Sequence, residues 1–126
     1  MANAIGTFEM KHTGNTYSRT AEGHLVINAH FEGAGTGFDA VFGTLSLTQE
    51  LSEASATSGT CTWTGQSFQA DGTTLGTLGD GTWEQRPGES KWKVIFNGEI
   101  SNGDRLRTEG VIDLPARQYT GSIFPA

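Results

Sequence analysis

Lys91-Trp92-Lys93-Val94-Ile95-Phe96-Asn97-Gly98-Glu99-Ile100, then Ser101-Asn102-Gly103-Asp104, then Arg105-Leu106-Arg107-Thr108-Glu109-Gly110-Val111-Ile112-Asp113-Leu114, reads as two strands and the turn between them. In the first run Trp92, Val94 and Phe96 oppose Lys91 and Lys93. In the second, Thr108, Ile112 and Leu114 oppose Arg105, Arg107, Glu109 and Asp113. A period of two puts successive side chains on opposite faces of a strand. Asn102-Gly103-Asp104 supplies residues that tolerate the positive φ of a tight turn. The stretch therefore predicts an antiparallel hairpin with one face inside and one in water.

The same grammar extends through the chain. Turns are expected at Thr13-Gly14-Asn15, Asp71-Gly72, Arg86-Pro87-Gly88 and Pro115-Ala116-Arg117, with a looser connection at Gly33-Ala34-Gly35-Thr36-Gly37. Eight strands follow, roughly over 5–12, 20–32, 38–48, 57–68, 73–85, 90–100, 105–114 and 118–124. The helix-like Leu47–Ala54 stretch is too short to be stable alone and reads as a strand end and loop. Tightly connected strands of this kind suit a single domain over 1–126: an all-β, eight-stranded antiparallel up-and-down barrel, which removes its sheet edges by closing.

Strand faces can be assigned in the same way. Phe8 and Met10 oppose Glu9 and Lys11; Leu25, Ile27, Ala29 and Phe31 oppose His24, Val26, Asn28, His30 and Glu32. The third strand is apolar on both faces, with Phe38 and Phe42 on one and Val41, Leu45 and Leu47 on the other. Such a strand calls for a covering partner, so a homo-oligomer through the third strand is expected.

Composition bounds the function. The 126 residues hold one core, and 10% aromatics, among them Trp63, Trp83 and Trp92, mark a chain that folds. The net charge is −6 and the pI about 4.9. The eight basic residues are scattered, and the densest pair, Arg105 and Arg107, is flanked by Asp104 and Glu109. Nucleic acid and anionic membrane surfaces are therefore excluded as expected partners. No apolar run approaches the ~20 residues of a membrane span. Met1-Ala2-Asn3-Ala4-Ile5 carries neither part of a secretory signal, and the single cysteine, Cys61, has no internal partner. A cytoplasmic location is expected.

Gly6-Thr7-Phe8-Glu9-Met10-Lys11 and Phe31-Glu32-Gly33-Ala34-Gly35-Thr36-Gly37, with Ser58-Gly59-Thr60 and Gly81-Thr82-Trp83, resemble the allene-oxide-cyclase-like barrels, in particular small bacterial proteins of that fold. The resemblance covers most of the chain as an order of strands and glycine turns. It implies an eight-stranded barrel, of that family or of the broader calycin type, with a mainly apolar cavity and often an oligomeric state. It also implies cofactor-free cyclase or isomerase chemistry. No catalytic residue of the family maps onto a position here.

The residues themselves offer few reactive constellations. His24 and His30 lie roughly 20 Å apart along a strand and cannot share an ion. His30 and Glu32 share a face but lack a convincing third ligand in His12 or Asp39, so no metal is expected. Cys61 has the parity of Trp63 and reads as a buried, inert thiol. Gly33–Gly37 is followed by a strand and carries no Lys-Ser/Thr pair, so it is no phosphate loop. Glu84 and Glu99, the carboxylates nearest the aromatics, are the acid-base candidates together with His30, and a raised carboxylate pKa would require one to sit inside the barrel.

The aromatics carry most of the functional signal. Trp63, Trp83 and Trp92, on three consecutive strands, with Phe42 and Tyr119, are the candidate ligand-binding walls of one cavity. Three readings compete. The first is a cofactor-free isomerase, cyclase or lyase acting on a small, largely apolar molecule. The second is a non-catalytic binding protein of lipocalin-like type. The third is a structural or interaction barrel with a solid core.

Overall fold

The computed structural model describes residues 3–126; Met1 and Ala2, the start of the N-terminal stretch read above, lie outside them. The strands are β1 (Gly6–Arg19), β2 (Leu25–Gly35), β3 (Phe38–Gln49), β4 (Ser58–Phe68), β5 (Thr74–Gln85), β6 (Lys91–Ile100), β7 (Arg105–Asp113) and β8 (Gln118–Pro125). A single 3-10 turn, Leu51–Glu53, follows β3. Each strand pairs antiparallel with the next, and β8 pairs back onto β1 from Gly6 opposite Ile123 to Lys11 opposite Gln118. The result is a closed, eight-stranded up-and-down barrel. Among the described residues no helix is long and apolar enough to cross a membrane.

The hairpin that opened the sequence reading forms as expected. Trp92 lies opposite Ile112 and Phe96 opposite Thr108. Gly103 has φ 96°, and Asn102 Oδ1 accepts the Asp104 backbone N–H at 2.9 Å, which fixes the turn. Of the basic pair on β7, Arg107 has local partners: it bonds Glu109 at 2.8 Å and lies 4.8 Å over the Phe124 ring.

Two bulges depart from simple alternation. Thr13-Gly14-Asn15 is not a turn: β1 continues to Arg19, with a register shift between His12 and Gly14, where Gly14 takes φ 150°. A bulge and a turn recruit the same residue types, because both need positive φ. The turn itself lies at Thr20–His24, closed by the Thr20 N–H to the His24 carbonyl at 3.0 Å. His24 thus precedes β2 and shares no strand face with His30. The second irregularity separates two phenylalanines expected on one face. Three steps along β3 (Phe38 to Val41) span two along β2 (Gly35 to Gly33), so Phe38 turns inward while Phe42 points out.

The core is built from rings resting on glycines. A Cβ on Gly43 would overlap the Trp63 indole; on Gly79 it would press on Phe96, and on Gly110 on the rings of Phe8 and Tyr119. These glycines lie within strands, so the high glycine content is spent on clearance for large side chains as well as on turns.

Candidate functional site

Inside the barrel the rings close on one another at mid-height. Trp63 and Phe96 stack with centroids 5.7 Å apart, and Phe31 meets Tyr119 at 5.1 Å. Phe8 meets Tyr119 edge-on at 4.9 Å. Tyr119 and Val94 are fully buried. This plug leaves two cups opening in opposite directions rather than one through-cavity. The wide cup, about 340 Å³, is walled by Trp83 and Trp92, floored by Phe31 and overhung by Ala54–Ala56. The narrow cup, about 260 Å³, has Phe8, Trp63 and Phe96 at its base and Thr108 in its wall.

The five aromatics proposed as one wall therefore divide. Trp83 and Trp92 line the wide cup, Trp63 lines the narrow one, and Tyr119 is sealed in the plug between them. Phe42 lies outside. It is 50% exposed on the outer surface and packs edge-on against Phe68 at 5.9 Å, because inward positions on β3 are taken by Val41, Gly43 and Leu45.

The acid-base candidates also face out. Glu84, opposite Lys93, and Glu99, opposite Arg105, are exposed on the outer face, as strict alternation from Trp83 and Gly98 requires. His30 lies on the outer face of β2, held by Thr16 Oγ1 at 2.9 Å and Thr44 Oγ1 at 2.8 Å. Glu32 and Asp39 are exposed. No group of three His, Cys, Asp or Glu side chains converges among the described residues.

The imidazole that does enter the barrel is that of His12. It is buried, lines the wide cup and leans on the Phe31 ring at 5.4 Å. Asn15, brought to the same face by the bulge, donates through Nδ2 to Tyr17 Oη at 3.1 Å. Its Oδ1 therefore faces His12 Nε2, at 2.6 Å. An acceptor at that position fixes the proton on Nε2, so the neutral ring keeps its lone pair on Nδ1. The sequence held the signal: Phe8, Met10 and His12 share one parity within the expected first strand, but the turn read at Thr13 put His12 at a strand end and left Asn15 outside the sheet.

Ser55, Gln85, Gln49 and Trp83 add polarity to the wide cup, and the Gln49 Oε1 and Trp83 Nε1 are buried without a hydrogen-bond partner. No Asp, Glu, Lys or Arg lines this cup. Burying a charge there would leave it without a counter-ion, at a cost of several kcal/mol or more.

Cys61 is buried beside the plug. Burial, with the Asp80 carboxylate adding to it, pushes its thiol from 9.0 up to about 11, so at neutral pH it is protonated and unreactive. Burial likewise raises the Tyr119 phenol above its ordinary 10.0. In both cases the unfolded chain releases the proton first. Stability due to these groups is whole below about pH 9 and declines as pH rises, the Cys61 share being lost through about pH 11. The melting temperature is expected to fall across that window, and less steeply in Cys61→Ala. Identical slopes for the two proteins would show that the thiol does not contribute.

No protein-family model, curated protein or solved structure matches the chain.

Proposed function

We propose that this chain binds a compact, uncharged and largely apolar molecule in the wide cup. The observation that supports this is the lining: two indole walls, an aromatic floor, no charged side chain, and a few neutral polar groups, among them the bonded pair His12 and Asn15. At about 340 Å³ the cup lies at the small end of ligand pockets, which run from about 300 to 1,000 Å³. The indoles offer flat apolar area, and His12 gives the ligand's polar end a place to dock. A buried, unpaired Cys61 agrees with a cytoplasmic setting for this role.

A second reading is supported by the same pair. With Nε2 held by Asn15, the Nδ1 lone pair of His12 would serve as the base that takes a proton from the ligand and returns it elsewhere, which is the core of a cofactor-free isomerase or lyase. The cup would add to this by restricting a flexible substrate to a reactive shape. The resemblance to allene-oxide-cyclase-like barrels supports that chemistry as a class.

Tryptophan fluorescence titrated against a library of small neutral ring compounds tests both. A ligand is expected to quench Trp83 and Trp92 saturably and to raise the melting temperature. His12→Phe is expected to weaken its binding about tenfold, or about 1.4 kcal/mol. If His12→Phe instead keeps the affinity while turnover disappears, the catalytic reading stands. A diverse library with no saturable response overturns both readings and leaves a structural barrel.

A further inference from the structure

The narrow cup is separated from the wide one by the aromatic plug, and the binding proposed above makes no use of it. Its wall holds a feature that packing alone does not explain. Thr108 is 6% exposed and Tyr119 0% exposed, and neither hydroxyl has a hydrogen-bond partner. The two residues lie on the neighbouring strands β7 and β8. The Thr108 hydroxyl is near enough to temper the rise that burial imposes on the Tyr119 phenol.

Two adjoining hydroxyls carry two protons, and turned toward each other they use only one. Whichever donates, one O–H is left without an acceptor, a state that costs about 1–3 kcal/mol for a buried group. Tyr119 lines neither cup, whereas Thr108 lines the narrow one. Of the two unpartnered hydroxyls it is therefore that of Thr108 whose proton an acceptor in the cup can take.

We infer that the narrow cup is a second ligand site, taking a small neutral ring compound whose carbonyl oxygen accepts a hydrogen bond from Thr108. A ring suits the base, where Phe8, Trp63 and Phe96 present apolar area. Neutrality follows from the apolar base, where a charge of either sign would lose its hydration without a counter-ion, and an anion is disfavoured further. Asp104 is the one charged side chain in the lining, at the rim, and the chain carries −6 overall, so a carboxylate is repelled. A carbonyl suits that donor because it accepts without bringing a proton of its own that the apolar base would have to satisfy.

The tryptophans make the two cups separately readable, since Trp63 reports on the narrow cup and Trp83 and Trp92 on the wide one. The indole N–H resonances, assigned through single Trp→Phe variants, are followed while acetophenone or ethylbenzene is added to the intact protein. Acetophenone is expected to shift Trp63 saturably and to bind at least fivefold more tightly there than ethylbenzene, which has the ring but no acceptor. Thr108→Val keeps the side-chain shape and is expected to abolish that preference; Thr108→Ser is expected to retain it. Equal binding of the two probes by the wild type overturns the inference, whatever becomes of the valine variant. So does a preference that survives in Thr108→Val, or the lack of any saturable shift at Trp63. A response confined to Trp83 and Trp92 also overturns it, while leaving the wide-cup reading intact.

Discussion

Trp63→Ala is expected to lower the free energy of unfolding by about 3–5 kcal/mol, the range for removing a buried tryptophan from a packed core. Trp63 is 3% exposed, stacks on Phe96 and stands within 6.4 Å, centroid to centroid, of both Phe31 and Tyr119. Its neighbours cannot close over the gap, since Gly43 and Gly65 on the wall beside it have no side chains to move in. Against a total stability of about 5–15 kcal/mol for a domain, the loss should be plain in urea or thermal melts. The void would also open the plug and join the cups, so a long apolar probe excluded by the wild type is expected to bind the variant. A loss below about 1 kcal/mol would mean that the plug is not the stabilising centre of the barrel.

Gly43→Ala is expected to be destabilising by about 1–3 kcal/mol or more, although it adds a single methyl group. The added Cβ meets three atoms of the Trp63 ring system, and that ring is held in place by its stacking on Phe96. In the background Trp63→Leu the sign should reverse. With the indole gone, alanine in a strand is favoured over glycine by roughly 0.5–1 kcal/mol through backbone entropy. A double-mutant cycle built from denaturant melts measures this coupling directly. Additive effects would show that Gly43 is not the seat of Trp63 and that its cost arises in the backbone.

Much of the barrel is legible in the sequence because most strands alternate cleanly. From β4 to β8 the expected boundaries fall within a residue or so of those observed, since each run ends at a Pro, Gly or Asn turn. Legibility fails where a local signal has two physical meanings. Thr13-Gly14-Asn15 satisfies a turn and a bulge equally well, and only the length of the facing strand decides between them. Phe38 and Phe42 share parity on paper, and an extra residue of β3 opposite Ala34 sends them to opposite faces. Phe42 also shows that an aromatic on a strand need not enter the core when the other face is already filled. The plug itself was hidden because half of it is glycine. Hydropathy registers Trp63 and Phe96 but not the bare backbone they rest on, so the division into two cups could not be inferred. His12 was within reach through its parity with Phe8 and Met10.

The seam that closes the barrel has a mechanical consequence. Every other strand pairing joins neighbours in the chain, whereas β1 with β8 joins its two ends. Because the two run antiparallel and Ile5 bonds Ile123 at 2.8 Å, both ends of the described chain leave the sheet at the same corner. Tension applied through them does not shear the seam, which would load its hydrogen bonds together; it peels the seam, loading them one after another from Ile123 toward Gln118. The barrel is thus weakest to a pull on its own ends and stiffest to one along its strands.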